Sequence, residues 1–323
     1  MKRTPAWAWA AIALMLVLVF NAVFTPGFLE ITVRDGRLYG SLIDILNRAA
    51  PVGLLALGMT LVIATGGIDL SVGAVMAIAG TVAANAVSKG GTLAQAVGPA
   101  LLAGAFSGSL NGFLVAVLEF QPIVAPLLLL VTGRGIAQML ANGQIVTFND
   151  PSFAEIGRGA FAGVPNAAWI LAIFFLVFAG LTRLTGIGLL LESTGSNSAA
   201  AKYVGINTKA LKSLVYTLSG LCAAVAGLII TADIQAADAN NAGLYLELDA
   251  ILAVSVGGTA LAGGRFSLAG SIIGALLMQA LTTTILTRGV SPEATLVVKA
   301  AIIIAVCLMQ VSSGNLRLGR AKA

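Results

Sequence analysis

Few residues in this chain are equipped for chemistry, and their arrangement excludes most of it. Histidine is absent, and the two cysteines, Cys222 and Cys307, lie far apart inside apolar runs. Zinc is held by clustered nitrogen and sulfur ligands, so no metal site is expected, and both cysteines read as small buried hydrophobes. No lysine follows a glycine, so the glycine-rich loop that cradles nucleotide phosphates is missing. No pairing of nucleophile and base appears either. What stands out is one carboxylate. Asp69 lies within "VIATGGIDLSVGAVMAIAG", Val62 to Gly80, in a stretch from 50 to 88 with no other ionisable group.

Two uses of Asp69 are open. As one straight helix, residues 49–88 would measure about 60 Å, twice the hydrocarbon thickness of a bilayer. The stretch must therefore break, and Gly66-Gly67 is where it can. Asp69 then caps the next helix, its carboxylate accepting orphan N–H groups near Ser71 and Val72. Intramembrane carboxylates also line transport routes, and broken helices surround transport sites. Arg134 poses the same question with the opposite sign, in an uncharged stretch from Phe120 to Asn149. It needs a partner: helix C-terminal carbonyls, or a carboxylate such as Asp69 or Asp150. It reads as a structural tie or as a gate. Asn47, Asn111, Gln138 and Gln279 supply neutral hydrogen-bonding groups within or near the same runs. Sugars are recognised by such groups, and helix–helix hydrogen bonds use them too. With Asp69 and Arg134 they are the candidate substrate path.

The elements that position these residues follow from composition. Of the 323 residues, 58% are hydrophobic and 10% charged, against roughly 25% charged in soluble domains. Such a chain has too little charge for a solvated surface and belongs in a membrane. The apolar runs are continuous rather than alternating, which selects helices, because lipid offers backbone groups no partner. The fold class is thus an all-α integral membrane protein, one polytopic domain over 1–323. Ten stretches are candidate spans: 6–24, 49–66, 71–88, 93–118, 122–141, 167–184, 213–232, 248–263, 267–287 and 293–311. The first, behind Met1-Lys2-Arg3, exceeds the core of a signal peptide and reads as an uncleaved span.

Lysine and arginine set the orientation. With a cytoplasmic N-terminus, ten of the eighteen fall inside, six outside, and Arg134 and Lys299 within spans. That is the inside-positive bias of membrane proteins, so the formal charge of +5 needs no nucleic acid to explain it. Both termini are then cytoplasmic. A second glycine break, in "LDAILAVSVGGTALAGGRFSLAG", follows the seventh span. Spans 2–5 and 7–10 would have opposite orientation, as in an inverted repeat.

Two connections remain. Residues 185–212 are the longest polar stretch on the expected inner face. They hold a short helix that Asn197 or Ser198 can cap and Gly205 can end. It is either a plain connector or a handle for a soluble partner. On the expected outer face, "DIQAADANNAGLYLELDAI", Asp233 to Ile251, is either a solvated loop or a docking surface.

These residues carry a resemblance. "GMTLVIATGGIDLSVGAVMAIAG", "GRGIAQMLANGQIVTF", "GSNSAAAKYVGINTKALKSLVYTLSGLCAAVAG" and "LELDAILAVSVGGTALAGGRF" occur in order. They resemble the permease subunits of bacterial ABC sugar importers of the ribose/xylose/arabinose/galactose class, closest to the galactofuranose permeases. The resemblance implies a non-enzymatic subunit of the inner membrane, with no cofactor of its own. Its implied partners are a second permease subunit, a different one by the galactofuranose likeness, a cytoplasmic ATPase that uses ATP, and a periplasmic sugar-binding protein. It further implies that Glu192, Asn197, Lys202, Tyr203, Gly205 and Asn207 lie against the ATPase. By the same likeness, Asp233, Asp238, Asn240, Asn241 and Glu247 would face the binding protein. Without it, an ion-coupled secondary transporter using Asp69 stays open.

Overall fold

The structure is a computed structural model that describes residues 7–34, 36–291, 294–301 and 303–304. Met1-Lys2-Arg3, Cys307, the end of the stretch 293–311 from residue 305 on, and the basic tail lie outside the described residues. The chain is largely helical. α1 (Ala8–Phe24) leads through a small hairpin, β1 (Thr32–Arg34) and β2 (Arg37–Tyr39), into α2 (Ser41–Ala64). Then come α3 (Val72–Ser88), α4 (Leu93–Ala116) and α5 (Val124–Leu140). β3 (Val146–Thr147), α6 (Pro151–Arg158), β4 (Ala160–Phe161) and β5 (Val164–Pro165) form a surface excursion before α7 (Asn166–Arg183). Two short helices follow, α8 (Ile187–Ser196) and α9 (Ser198–Tyr203), then the long α10 (Thr208–Ile234). β6 (Ala236–Ala237), α11 (Leu246–Val256) and α12 (Leu268–Thr287) complete the named elements, and residues 294–301 are helical. The short strands form three antiparallel two-stranded pairs, β1–β2, β3–β6 and β4–β5, which the continuous apolar runs gave no reason to expect.

Among the described residues, five helices are long and apolar enough to cross a membrane: α2, α4, α7, α10 and α12. α1, α3 and α5 are shorter apolar helices of 17 residues each. α2 lies at the centre. From Ala49 to Ala64 every residue is buried, as expected of a helix apolar on all sides. α10 packs along both α2 and α4. The α4 face is a stripe of Gly104, Gly108 and Gly112, laid against the backbone of Tyr216, Ser213 and Gly220. A Cβ on Gly112 would sit 2.7 Å from the Ser213 Cα. Small residues four apart let two backbones touch, the main source of helix attraction where lipid is as apolar as leucine.

Paired glycines end two helices by the same device. At the end of α2, Gly66 is left-handed (φ +81°), with Gly66 N donating to Ile63 O (2.8 Å) and Gly67 N to Val62 O (3.2 Å). At the end of α11, Gly258 has φ +90°, with Gly258 N donating to Ser255 O (3.0 Å) and Thr259 N to Val254 O (3.2 Å). These are Schellman closures, which satisfy the last carbonyls of a helix and turn the chain sharply.

The connections gather at two ends. At one, Gly264 N donates to Ala64 O (3.0 Å), Tyr216 Oη to Pro122 O (3.2 Å), and Lys209 Nζ lies 3.7 Å from Glu119 Oε1. At the other, Leu38 N donates to Gly163 O (3.0 Å), β3 pairs with β6, and Arg37 meets Glu155 at 3.4 Å. The first is called the α9 end and the second the strand end.

Candidate functional site

Asp69 lies in the break between α2 and α3, some way in from the α9 end, and is 1% exposed. One carboxylate oxygen accepts from Ser71 N (3.1 Å) and Ser71 Oγ (2.6 Å); the other accepts from Ser219 Oγ of α10 (2.8 Å). Asn111 of α4 donates to Ser71 Oγ (2.8 Å) and, at 3.5 Å, to Asp69. The capping expected of Asp69 is therefore half of its role. It closes a turn on Ser71 N, no bond to Val72 N is made, and no side chain caps α3. Its remaining capacity ties the break to α4 and α10. An unsatisfied buried polar group costs about 1–3 kcal/mol, so this node holds three elements in one register. Asn111 Oδ1 is left without a hydrogen-bond partner.

Arg134 lies on α5 towards the strand end and is half-buried. Its guanidinium donates to the carbonyls of Ala239 (3.3 Å) and Ala242 in the loop joining β6 to α11. Its charged neighbours are Glu247 and Asp238. Neither Asp69 nor Asp150 is its partner. Asp69 is occupied by Ser219, and Asp150 caps α6 by accepting from Phe153 N (2.7 Å). One turn along α5, Gln138 donates to Asn240 Oδ1 (2.7 Å). Asp238 folds the loop on itself, accepting from Asn240 N (2.9 Å), Asn241 N (3.2 Å) and Asn241 Nδ2 (2.7 Å). The Asn241 side chain, foremost among these donors, holds the Asp238 carboxyl below the usual carboxylate range. Glu247 is 7% exposed and its Oε2 has no hydrogen-bond partner. Asp233 accepts from Arg158 Nε through its backbone carbonyl. The loop is thus a strap fastened to α5 from above.

The two clusters sit at different depths of α10. Ser219 and Asp233 are 14 residues apart, about 21 Å along a helix.

The segment 185–212 is two short helices joined at Asn197, whose side chain caps α9 by accepting from Ala200 N (3.0 Å). Gly205 (φ +87°) closes α9, and Asn207 caps α10 by accepting from Ala210 N (3.0 Å). The tip between them is bare: Tyr203 is 92% exposed and Val204 77%. Lys202 and Lys209 face Glu119 at 4.0 and 3.7 Å. Glu192 lines a cavity of about 290 Å³ between α7 and α8, with Arg183 and Ser267.

The structure joins Asp69 to Asn111, and Arg134 and Gln138 to the Asp238–Glu247 loop. Asn47 and Gln279 belong to neither cluster: Asn47 Oδ1 has no partner, and Gln279 donates within α12 to Thr283 (3.3 Å). The Ser71 N–H was expected; the Ser71 hydroxyl and Ser219 completed the node unforeseen. Apart from the node, the pair of Lys299 with both carboxylate oxygens of Asp249 in α11 (2.9 and 2.7 Å) was also unforeseen. Lys299 is nearly buried, and 50 residues separate it from Asp249, so no local pattern linked them.

Long apolar helices, broken by glycine closures and carrying few charges, define a polytopic helical membrane protein. Residues 41–307 match the family described as branched-chain amino acid transport system / permease component, and the chain belongs to that family. It is 52% identical to the galactofuranose transporter permease protein YtfT of Escherichia coli (strain K12), covering 95% of this chain and 90% of the relative. It is 39% identical to the fructose import permease protein FruF of Bifidobacterium longum (strain NCC 2705), covering 94% and 86%. It is 37% identical to the ribose import permease protein RbsC of Escherichia coli (strain K12), covering 95% of each. A solved metal-chelate type ABC transporter in an inward-facing conformation aligns at 17% identity with a TM-score of 0.49, covering 95% and 99%.

Proposed function

We propose that this chain is the membrane subunit of an ATP-driven monosaccharide importer, with galactofuranose as the sugar. The observation that carries this reading is the 52% identity to a galactofuranose permease over 95% of the chain. In this reading the chain forms the translocation path, and catalysis belongs to a separate ATPase. The chain needs no cofactor of its own. The α9 end faces the cytoplasm, with both termini. Glu192, Asn197, Lys202, Tyr203, Gly205 and Asn207 form or shape the surface gripped by the ATPase. The bare Tyr203–Val204 tip supports this, because an isolated exposed aromatic on a capped helix is the kind of anchor that partners bury. The strand end faces the periplasm, and Asp233, Asp238, Asn240, Asn241 and Glu247 lie in the loop that receives a sugar-binding protein. A second permease subunit, of related but different sequence, completes the path.

Ten spans arranged as an inverted repeat go with this function. Neighbour relations support it: α10 packs along α4 as α2 packs along α12, and α3 packs on α4 as α11 packs on α12. Exchanging helices 2–5 for 7–10 reproduces those pairs.

Reconstitution in proteoliposomes, omitting one component at a time, tests the reading. Sugar uptake is expected only with ATPase, binding protein and both permease subunits present. The other reading, an ion-coupled transporter working through Asp69, is favoured by that residue's burial among spans. It requires uptake by this chain alone, abolished by an uncoupler, and that outcome overturns the proposal.

A further inference from the structure

The α9 end carries a second feature, which shares Lys202 with the surface assigned above to the ATPase. A cavity of about 220 Å³ opens between the end of α4, the start of α9 and the first turns of α10. Lys202, Lys209 and Lys212 line it, with Glu119, Ser198 and Thr208. Three ammonium groups therefore face one carboxylate. That carboxylate holds them weakly, at 3.7 Å for Lys209 and 4.0 Å for Lys202, with Glu119 itself 68% exposed. Lys209 and Lys212 also stand in the opening turns of α10, where helix N–H groups add positive partial charge, and the first turn holds no acidic residue. The cavity is an excess of positive charge with hydroxyl donors beside it.

A second observation says what fits there. On the face of α4 turned away from α10, Leu102, Phe106, Leu110, Phe113 and Val117 are all exposed. Their spacing of three and four residues makes one apolar stripe along the helix. It runs down to Val117, and past the end of α4 the exposed Leu118 and Phe120 carry the apolar surface to the cavity, which Phe120 lines. A cationic, hydroxyl-lined hollow at the foot of an apolar stripe matches a molecule with a phosphate head and long hydrocarbon chains.

We propose that this cavity binds the headgroup phosphate of an anionic phospholipid, whose acyl chains lie along the exposed stripe of α4. Lys202, Lys209 and Lys212 pair with the phosphate, Ser198 and Thr208 donate to its oxygens, and Glu119 is the internal counter-ion that the lipid displaces. A zwitterionic lipid brings its own cation into the cluster and is repelled. The occupant is thus distinguished by net charge rather than by the phosphate alone.

The test uses the full chain in nanodiscs, titrating phosphatidylglycerol into a phosphatidylcholine background, with bound lipid counted by native mass spectrometry. Saturable retention of phosphatidylglycerol is expected, with phosphatidylcholine failing to compete. Lys209→Gln/Lys212→Gln should weaken retention about tenfold or more. Glu119→Gln should strengthen it, an opposite shift that misfolding cannot imitate. Equal retention of the two lipids, or no change in either variant, overturns the proposal. Saturable binding of inorganic phosphate without a preference for phosphatidylglycerol overturns the lipid assignment. So does a lysine variant that loses ATPase capture while retaining lipid as before, because the cavity is then a protein dock.

Discussion

Asp69 and Arg134 answer one problem in two ways, and the contrast shows what each end of the molecule is built for. Both are charges set among apolar helices. Asp69 is satisfied chiefly by side-chain hydroxyls, Ser71 beside it and Ser219 on α10, with Asn111 of α4 completing the network. Arg134 is satisfied by the carbonyls of a loop, Ala239 and Ala242. A node made by packed helices cannot open without disturbing the core. A strap tied down by side chains of one helix, Arg134 and Gln138, can lift while the helices stay packed. The comparison assigns rigidity to the Asp69 end and controlled release to the Arg134 end.

The strongest way to break this contrast is Asp69→Ala. It strands the donors of Ser219 and Ser71 in a dry interior, at about 1–3 kcal/mol each. A large fall in the thermal midpoint of the detergent-purified chain is expected. Asp69→Asn should fall less, because an amide oxygen still accepts. Unfolding of the Ala variant at the wild-type midpoint would remove the node from the account.

Next in size is Arg134→Met, which frees two loop carbonyls and leaves Glu247 and Asp238 without their cation. Because the site is half-buried, the expected loss of stability is only about 1–2 kcal/mol. Hydrogen exchange should nevertheless accelerate through 235–247, and sugar uptake should fall sharply. If exchange in that loop is unchanged while α3 and α10 loosen, Arg134 is a core residue and the contrast fails.

A smaller effect is expected at the α9 end. Gly205→Val places a β-branched residue at φ +87°, which costs about 1–2 kcal/mol locally. Copurification of the ATPase should drop, with little change in overall stability. Tyr203→Ala should lower copurification with no change in thermal midpoint at all.

The smallest effect is pH. The Asp238 carboxyl is depressed by Asn241 and by the N–H groups of Asn240 and Asn241, so its stabilisation of the loop is present above the unfolded value of about 3.9. It is lost as pH falls through the lower folded value. Exchange in 235–247 should be flat from pH 5 to 8, apart from intrinsic chemistry, and accelerate only in strong acid. Asp238→Asn should abolish that step.

The helices were legible because their causes are local. Continuous apolar runs, Gly66-Gly67, Asn197 and Gly205 act within a few residues of the boundary they set. The node was only half legible, because Ser219 is 150 residues from Asp69 and nothing in a serine announces a distant carboxylate. Arg134's partners were missed for a related reason: they are backbone carbonyls, which every residue has. One distant contact did leave a mark. The spacing Gly104, Gly108, Gly112 signals a close helix crossing, and it lies against α10. The small strand pairs at the strand end left no periodic trace, being too short to alternate.

One contact described only in passing has a mechanical consequence. Gly264 N is bonded to Ala64 O, and the backbone of Gly195, in α8, lies against both so closely that no methyl group fits. Main chain meets main chain, with no compressible side chain between them. A tug on the Tyr203 tip therefore arrives at the turn before Asp69 undamped, as through a riveted joint rather than a cushion.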